Sequence, residues 1–236
     1  SPEAEAVRAK VRHCDRDCWM IGSVSPAMHK YIWKPGFWVL THKFKALFIR
    51  DKNGGEGFMA TKKLNGTVIV TYRCNARCTM CNRYKAPSKP EEEISLETIR
   101  KLPPMYFTNI TGGEPFIRTD LKDIVRELRK KSDRIVISTN GFFTDRILDL
   151  CKEFPDIGIR ISIEGLEQTN NEIRGLADGY NRGYTTLKKL REMGMKDVGF
   201  GMTVQDKNAP DLVPLYRLSD EMGMEFARSE EHTSEL

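Results

Sequence analysis

No stretch of this 236-residue chain approaches the ~20 consecutive apolar residues that span a bilayer, and no signal-peptide succession precedes an apolar core. A transmembrane segment is therefore not expected, and a soluble, cytoplasmic protein is. Charge of one sign is lacking too: the formal net charge of +5 is spread over mixed Lys, Arg, Asp and Glu. No basic run interleaves with aromatics, so no nucleic-acid partner is expected. Histidine is limited to His13, His29, His42 and His232. Six cysteines, three of them in one short cluster, suit a reducing compartment better than a disulfide framework. With 39% hydrophobic residues the chain can bury a substantial core, enough for one main domain plus a fragment.

The cluster is Cys74-Asn-Ala-Arg-Cys78-Thr-Met-Cys81, a C-x3-C-x2-C spacing directly after the β-branched run Thr67-Val-Ile-Val-Thr71. Three thiolates are one short of the four that close an iron-sulfur cluster or a zinc tetrahedron. A [4Fe-4S] cubane held this way keeps one iron open to an outside ligand. Structural zinc would instead need one of the four histidines as its fourth ligand.

This spacing after a strand resembles the radical SAM superfamily, and three further motifs extend the likeness in the same order. They are Asn109-Ile-Thr-Gly112-Gly113-Glu114-Pro115, similar to that family's GGEP motif, then Ile137-Ser-Thr-Asn140-Gly141, then Ile161-Ser162-Ile-Glu164-Gly165. One departure is Met80, where the family often has an aromatic residue before the third cysteine. The resemblance implies an α/β fold: a partial (βα)6 TIM-like barrel of the radical SAM type, truncated at about strand six. It implies a [4Fe-4S] cluster on Cys74, Cys78 and Cys81, with S-adenosylmethionine (SAM) on the fourth iron. Gly112 and Gly113 would let main-chain groups reach the SAM amine, with Glu114 and Pro115 completing the turn. Ser162 and Glu164 would meet the ribose or methionyl group, and Arg174 the carboxylate, a structural salt bridge being the alternative. Asn140 would line the pocket, though a type I′ turn explains Asn-Gly equally well. Met80, Thr203 and Val204 would cover the adenine.

The implied reaction starts with one electron from an external reductant of flavodoxin or ferredoxin type. SAM is cleaved to methionine and a 5′-deoxyadenosyl radical, which abstracts a hydrogen atom from a peptide or small-molecule substrate. The alternatives are a noncatalytic iron-sulfur or zinc-binding module, or an inactive fragment of the enzyme.

Along the chain, residues 1–49 resemble the tail of a SPASM or twitch extension, with an opening helix after Ser1-Pro2-Glu3 to about Arg12. Their Cys14 and Cys18 would be an emptied remnant of an auxiliary cluster site. The aromatic run Tyr31 to Leu40 would be a packing strip or a membrane-surface contact. Residues 50–65, with Asn53-Gly-Gly-Glu-Gly57, read as a linker, 66–227 as an incomplete barrel, and 228–236 as translated sequencing adapter. Both ends thus read as cut. Within the barrel, strands are expected at about 67–73, 106–111, 134–139, 158–164 and 197–204, and one starting at Met224. Helices are expected at about 95–102 capped by Ser95, 120–131 capped by Asp120, 144–153, and from Pro210 to Met222. Cys151 is expected to be plain packing, and the alternation of Ile159, Ile161 and Ile163 with Arg160, Ser162 and Glu164 to mark a polar lumen.

Overall fold

The computed structural model describes residues 64–230. The expectations for the N-terminal segment, its histidines, Cys14 and Cys18, the aromatic run and the glycine-rich linker lie outside those residues, as does His232.

Strands and helices alternate, as their hydrophobic periods require. β1 (Leu64–Thr71) is followed by the cysteine loop and α1 (Leu96–Arg100). The Ser95 hydroxyl accepts the Thr98 N–H at 3.2 Å, so this helix starts on the expected cap. β2 (Met105–Gly112) leads to α2 (Leu121–Arg129), which buries Leu121, Ile124, Val125 and Leu128 along one face. Asp120 does not cap α2. Its carboxylate is taken by Arg118 through two bonds of 2.8 and 2.6 Å, and a bidentate charge-assisted pair outcompetes a neutral amide donor.

β3 (Ser132–Thr139) precedes α3 (Thr144–Glu153), which sinks Cys151 into the core as expected. β4 (Gly158–Ser162) is followed by two helices for which the sequence raised no expectation, α4 (Glu167–Arg174) and α5 (Gly179–Glu192). β5 (Val198–Val204) leads through a 3-10 turn at Ala209–Asp211, which holds Pro210, into α6 (Leu212–Glu221). β6 (Glu225–Glu230) closes the series and pairs with β5 as far as Val204 opposite Glu230, past the point where the apolar pattern ends.

The six described strands form one sheet in the order β1-β2-β3-β4-β5-β6, every neighbouring pair parallel. Register places Val68, Ile110, Ile137, Ile159 and Val198 in one row across the first five strands, all buried against the helical layer. Continuous β-branched burial of this kind is what a helix-covered parallel sheet demands. The opposite face carries Asn109, Ser138, Arg160 and Ser162, so the alternation on β4 does mark a polar side. The architecture is α/β, a partial (βα)6 barrel with β1 and β6 as its edges among the described residues.

Candidate cofactor site

Ligand sites in parallel α/β folds gather where strands end and the chain turns toward the next helix. Here the ends of β1 to β5 surround a cavity of about 400 Å³. Cys74, Cys78 and Cys81 border it on one side, and Thr111, Gly112 and Gly113 on another. Among the described residues no three His, Cys, Asp or Glu side chains close on a point the size of one ion, so the cysteines edge a wider space.

The loop carrying those cysteines is tied to its surroundings by main-chain bonds. Gly113 N–H donates to the Thr71 carbonyl at 2.7 Å and Glu114 N–H to the Arg73 carbonyl at 2.8 Å, which lays the end of β2 along the approach to Cys74. Arg77 N–H donates to the Arg174 carbonyl at 3.0 Å and Thr79 N–H to the Ile173 carbonyl at 2.8 Å. Two loop donors thereby satisfy carbonyls that the end of α4 leaves open. Cys81 N–H closes a turn onto the Cys78 carbonyl at 3.1 Å.

The double glycine is also required by the protein's own backbone. A Cβ on Gly112 would overlap the Thr71 carbonyl oxygen, and one on Gly113 the Arg73 carbonyl oxygen. A close approach to the backbone entering the cysteine loop therefore by itself requires both glycines. Both residues still present their main chain to the cavity.

Glu114 and Pro115 stand behind the cavity wall rather than in it. The Glu114 carboxylate is wholly buried, and burial pushes its pKa up against the bonds it accepts from Asn140 N–H, Thr139 Oγ1 and Phe116 N–H at 2.8, 2.7 and 3.1 Å. It braces the ends of β2 and β3. Asn140 does border the cavity, and of the Asn140-Gly141 pair only Gly141 has a positive φ, +76°, so no type I′ turn forms.

Across the cavity, Ser162, Glu164 and Thr203 line the wall at the ends of β4 and β5 together with Arg174 from the end of α4, whereas Val204 packs on the apolar core. Arg174 Nη2 donates to Glu164 Oε1 at 2.7 Å, Thr203 N–H donates to Glu164 Oε2 at 2.7 Å, and Arg174 Nη1 reaches Cys78 Sγ at 3.6 Å. The salt-bridge alternative for Arg174 and a position beside the cysteine loop are thus both present. Breaking so buried a pair by removing one partner costs ~3–5 kcal/mol. Burial alone would disfavour the Arg174 charge, but Glu164 and the cysteine sulfurs more than offset it.

Met80 lines the cavity with its sulfur held by Gln205 Nε2 at 3.1 Å. Burial pushes the Cys74 thiol up to about 11, partly opposed by the Ala76 N–H and by Arg174. Arg83, whose guanidinium lies 4.6 Å from the Tyr72 ring centroid, and Tyr84 border the same space. So do Thr111, Ser138 and Thr139. None of these was singled out from sequence. The signal was available on β2 and β3, where Asn109, Thr111 and Ser138 repeat the polar alternation read on β4.

Below this cavity and sharing Ser138, Ser162, Glu164 and Thr203 with it, a second space of about 350 Å³ runs along the polar face of the sheet. Its floor is charged but neutralised: Asp197 takes Arg134 and Arg160 at 2.9 and 2.6 Å, and Glu225 also meets Arg160.

The donor set fits the group that the cysteine spacing implies. Three thiols face one cavity with room beside them for a ligand bearing polar and apolar parts.

The comparisons with known proteins agree with that geometry. The sequence model of the Radical SAM superfamily matches residues 68–218. Fe-coproporphyrin III synthase of Methanosarcina barkeri is 30% identical over 164 residues, covering 64% of this chain and 40% of that protein. Sporulation killing factor maturation protein SkfB of Bacillus subtilis is 28% identical over 154 residues, covering 62% of this chain and 37% of that one. The chain spans about two fifths of the length of these curated relatives. Among solved structures, Streptococcus suis SuiB bound to S-adenosylmethionine superposes with a TM-score of 0.62 at 16% identity, over 73% of this chain and 42% of that one. The same protein bound to its precursor peptide SuiA gives 0.58 at 16% identity, over 72% and 40%. No described helix is long and apolar enough to cross a membrane. On the family match and the fold together, the chain belongs to the Radical SAM superfamily, enzymes that use a [4Fe-4S] cluster and S-adenosylmethionine.

Proposed function

We propose that Cys74, Cys78 and Cys81 hold a [4Fe-4S] cluster, that SAM occupies the adjoining cavity, and that the protein abstracts a hydrogen atom from a peptide substrate. The observation that carries this reading is the placement of three thiols and the Gly112-Gly113 backbone around one space at the strand ends. When bound, the cofactor pair supplies one-electron reductive cleavage of SAM and a 5′-deoxyadenosyl radical able to take a hydrogen atom from carbon.

The chain's own residues prepare that chemistry. Cys74 must give up a proton that burial holds tightly, and Arg174 favours the resulting thiolate. The Gly112 and Gly113 main chain offers polar groups to the methionyl end, and Ser162 and Asn140 offer hydrogen bonds around it. Glu164, clamped by Arg174 and the Thr203 amide, presents a fixed carboxylate edge to the cavity. Met80, fixed by Gln205, supplies an apolar, polarisable surface for the adenine. Glu114 acts through Thr139 and Asn140 as a positioning residue. The lower space along β2 to β6 gives a polar lumen in which a substrate side chain can approach the cavity.

A peptide substrate is favoured because SkfB is a maturation protein and SuiB has been solved with a precursor peptide. The electron comes from a one-electron carrier of flavodoxin or ferredoxin type.

The test is electron paramagnetic resonance on anaerobically reconstituted, dithionite-reduced protein with and without SAM. Wild type is compared with a variant in which Cys74, Cys78 and Cys81 are all alanine. A [4Fe-4S]+ signal that SAM perturbs, absent from the variant, is expected. A cluster indifferent to SAM, or none, overturns the reading and favours a metal-binding module.

A further inference from the structure

From Tyr72 to Pro90 the chain has five basic residues, Arg73, Arg77, Arg83, Lys85 and Lys89, and no Asp or Glu. That local excess equals the +5 of the whole chain, so the remaining residues balance to zero. The same segment carries Cys74, Cys78 and Cys81. One of the five is neutralised, Arg73 Nε meeting Glu93 Oε1 at 2.8 Å. Arg77, Arg83, Lys85 and Lys89 are exposed, and none is in an ion pair among the described residues. The surface around α2 is different, since Lys122, Arg126, Arg129 and Lys130 each meet a carboxylate there.

The four cations surround the thiols along the chain. Arg77 lies between Cys74 and Cys78, and Arg83 and Lys85 follow closely after Cys81. Arg83 is held against the Tyr72 ring at 4.6 Å and borders the cavity; the Lys85 ammonium lies 5.9 Å from the centre of the Tyr84 ring, which borders it too. Contacts of this kind place the two cationic heads without cancelling their charge. Carboxylates on neighbouring segments oppose the patch only in part: Glu93 is taken by Arg73 and Glu172 by Lys207 at 2.8 Å, while Glu91, Glu92 and Asp206 stay exposed at its margins. Cys78 is buried, but Cys74 and Cys81 are partly open. The cysteine loop is thus both a basic patch and a short way from solvent to the thiols.

We propose that Arg77, Arg83, Lys85 and Lys89 form the docking surface for an acidic one-electron carrier protein, which passes its electron through the cysteine loop. The inference rests on the cofactor reading above and adds to it the face by which the partner approaches. The carrier is oxidised by one electron and a [4Fe-4S]2+ cluster is reduced to [4Fe-4S]+, with no covalent bond made or broken. Complementary charge of this kind speeds encounter by ~10–10³ and is screened by salt. It acts on the association rate more than on affinity, so the rate is the quantity to measure.

The full chain is reconstituted anaerobically with iron and sulfide, and cluster reduction is followed by stopped-flow absorbance with two donors. One is an acidic flavodoxin reduced to its hydroquinone; the other is the methyl viologen radical, a small cation. The variant Arg77→Gln/Lys85→Gln/Lys89→Gln removes charge without adding any, and Arg83 is left in place because it borders the cavity. At equal iron loading and low ionic strength, the variant is expected to lose ~tenfold in its rate with flavodoxin, and most of the salt dependence that wild type displays. Methyl viologen should reduce it as fast as wild type or faster, because a cation is then repelled less. If Arg77→Gln costs iron, Lys85→Gln/Lys89→Gln lies outside the cysteine motif and should still lose about threefold with flavodoxin alone. Equal slowing with both donors overturns the proposal, because it assigns the effect to a lowered cluster potential. Flavodoxin rates within about twofold of wild type, or a wild-type rate indifferent to salt, overturn it as well and leave the cations to an anionic substrate. Wild-type protein that assembles no cluster overturns the cofactor reading itself, an outcome distinct from these.

Discussion

Gly113→Ala perturbs the junction on which the cofactor loop depends, and the structure gives its size. An added Cβ would lie 2.7 Å from the Arg73 carbonyl carbon and 2.9 Å from that of Tyr72, besides overlapping the Arg73 oxygen. Carbon contacts relax at ~3.5–4.0 Å, and all three neighbours are backbone atoms that no rotamer change can move aside. The end of β2 must therefore separate from residues 72 and 73. Two bonds lie in the path of that movement, Gly113 N–H to the Thr71 carbonyl and Glu114 N–H to the Arg73 carbonyl. Each is worth ~0.5–1.5 kcal/mol net, and an unsatisfied buried partner costs ~1–3 kcal/mol, so a loss of about 2–4 kcal/mol is expected. Urea unfolding of the metal-free protein, followed by circular dichroism, measures it. Gly201→Ala is the control, since a Cβ there finds nothing nearer than 3.9 Å, and it should fall within ~0.5 kcal/mol of wild type. A Gly113→Ala protein as stable as the control refutes the argument that backbone contact demands this glycine.

Gly175→Ala should act on the other side of the loop: Gly175 sits at φ +55° with its missing Cβ 2.7 Å from the Arg77 carbonyl oxygen, so the variant should bind less than half the iron of wild type by colorimetric assay. Glu93 is pushed up by burial but held net below its usual range by Arg73, Thr71 and Ser88. A depressed carboxylate contributes stability that is full above its unfolded pKa of ~4.3 and lost as pH falls through the folded value, so Glu93→Gln should flatten the acid limb of the stability–pH curve below about pH 4.5 and leave its alkaline limb unchanged. Cys151, whose thiol burial pushes up to about 12, should resist iodoacetamide at pH 8 in the folded protein and react once denatured; peptide mapping showing it alkylated as fast as Cys81 contradicts the burial.

The barrel was legible wherever apolar residues recur at a clear period. Val68 and Val70, Ile135 and Ile137, and Ile159 with Ile161 announced their strands, and α3 runs over the residues expected for it. The helices α4 and α5 were not legible. α4 buries only Asn170 and Ile173 and shows no apolar stripe, while α5 repeats Tyr180, Tyr184, Leu187 and Leu190 at helical spacing but interrupts that face with Gly179, Gly183 and Thr186. Gly183 lies on α5 where a Cβ would come within 3.3 Å of Ile161, so packing against β4 has overridden helix propensity there. For the site, a motif located the strand ends but not which way each side chain turns. Thr203 faces the cavity while its neighbour Val204 enters the core, and Glu114 lies behind the wall that Gly113 forms.

What the glycine-rich motifs encode is best understood from the loop outward. An eight-residue segment carrying three cysteines has no core of its own and would be held loosely by its sequence neighbours alone. It is instead fixed from separate directions: from β2 through the amides of Gly113 and Glu114, from β3 through Asn140 and Asn75, and from α4 through the carbonyls of Ile173 and Arg174. Wherever such a tie brings two backbones together a side chain is excluded, which places glycine at 112 and 113 on one flank and at 175 on the other. The helix α4 that sequence periodicity failed to announce is thus as much a part of the candidate site as the cysteines. It carries both the carbonyls that dock the loop and the guanidinium that touches Cys78. Positioning of the three thiols is shared among the cysteine loop, β2, β3 and α4, so a fragment that kept the cysteine motif but lost α4 would keep the thiols without their geometry.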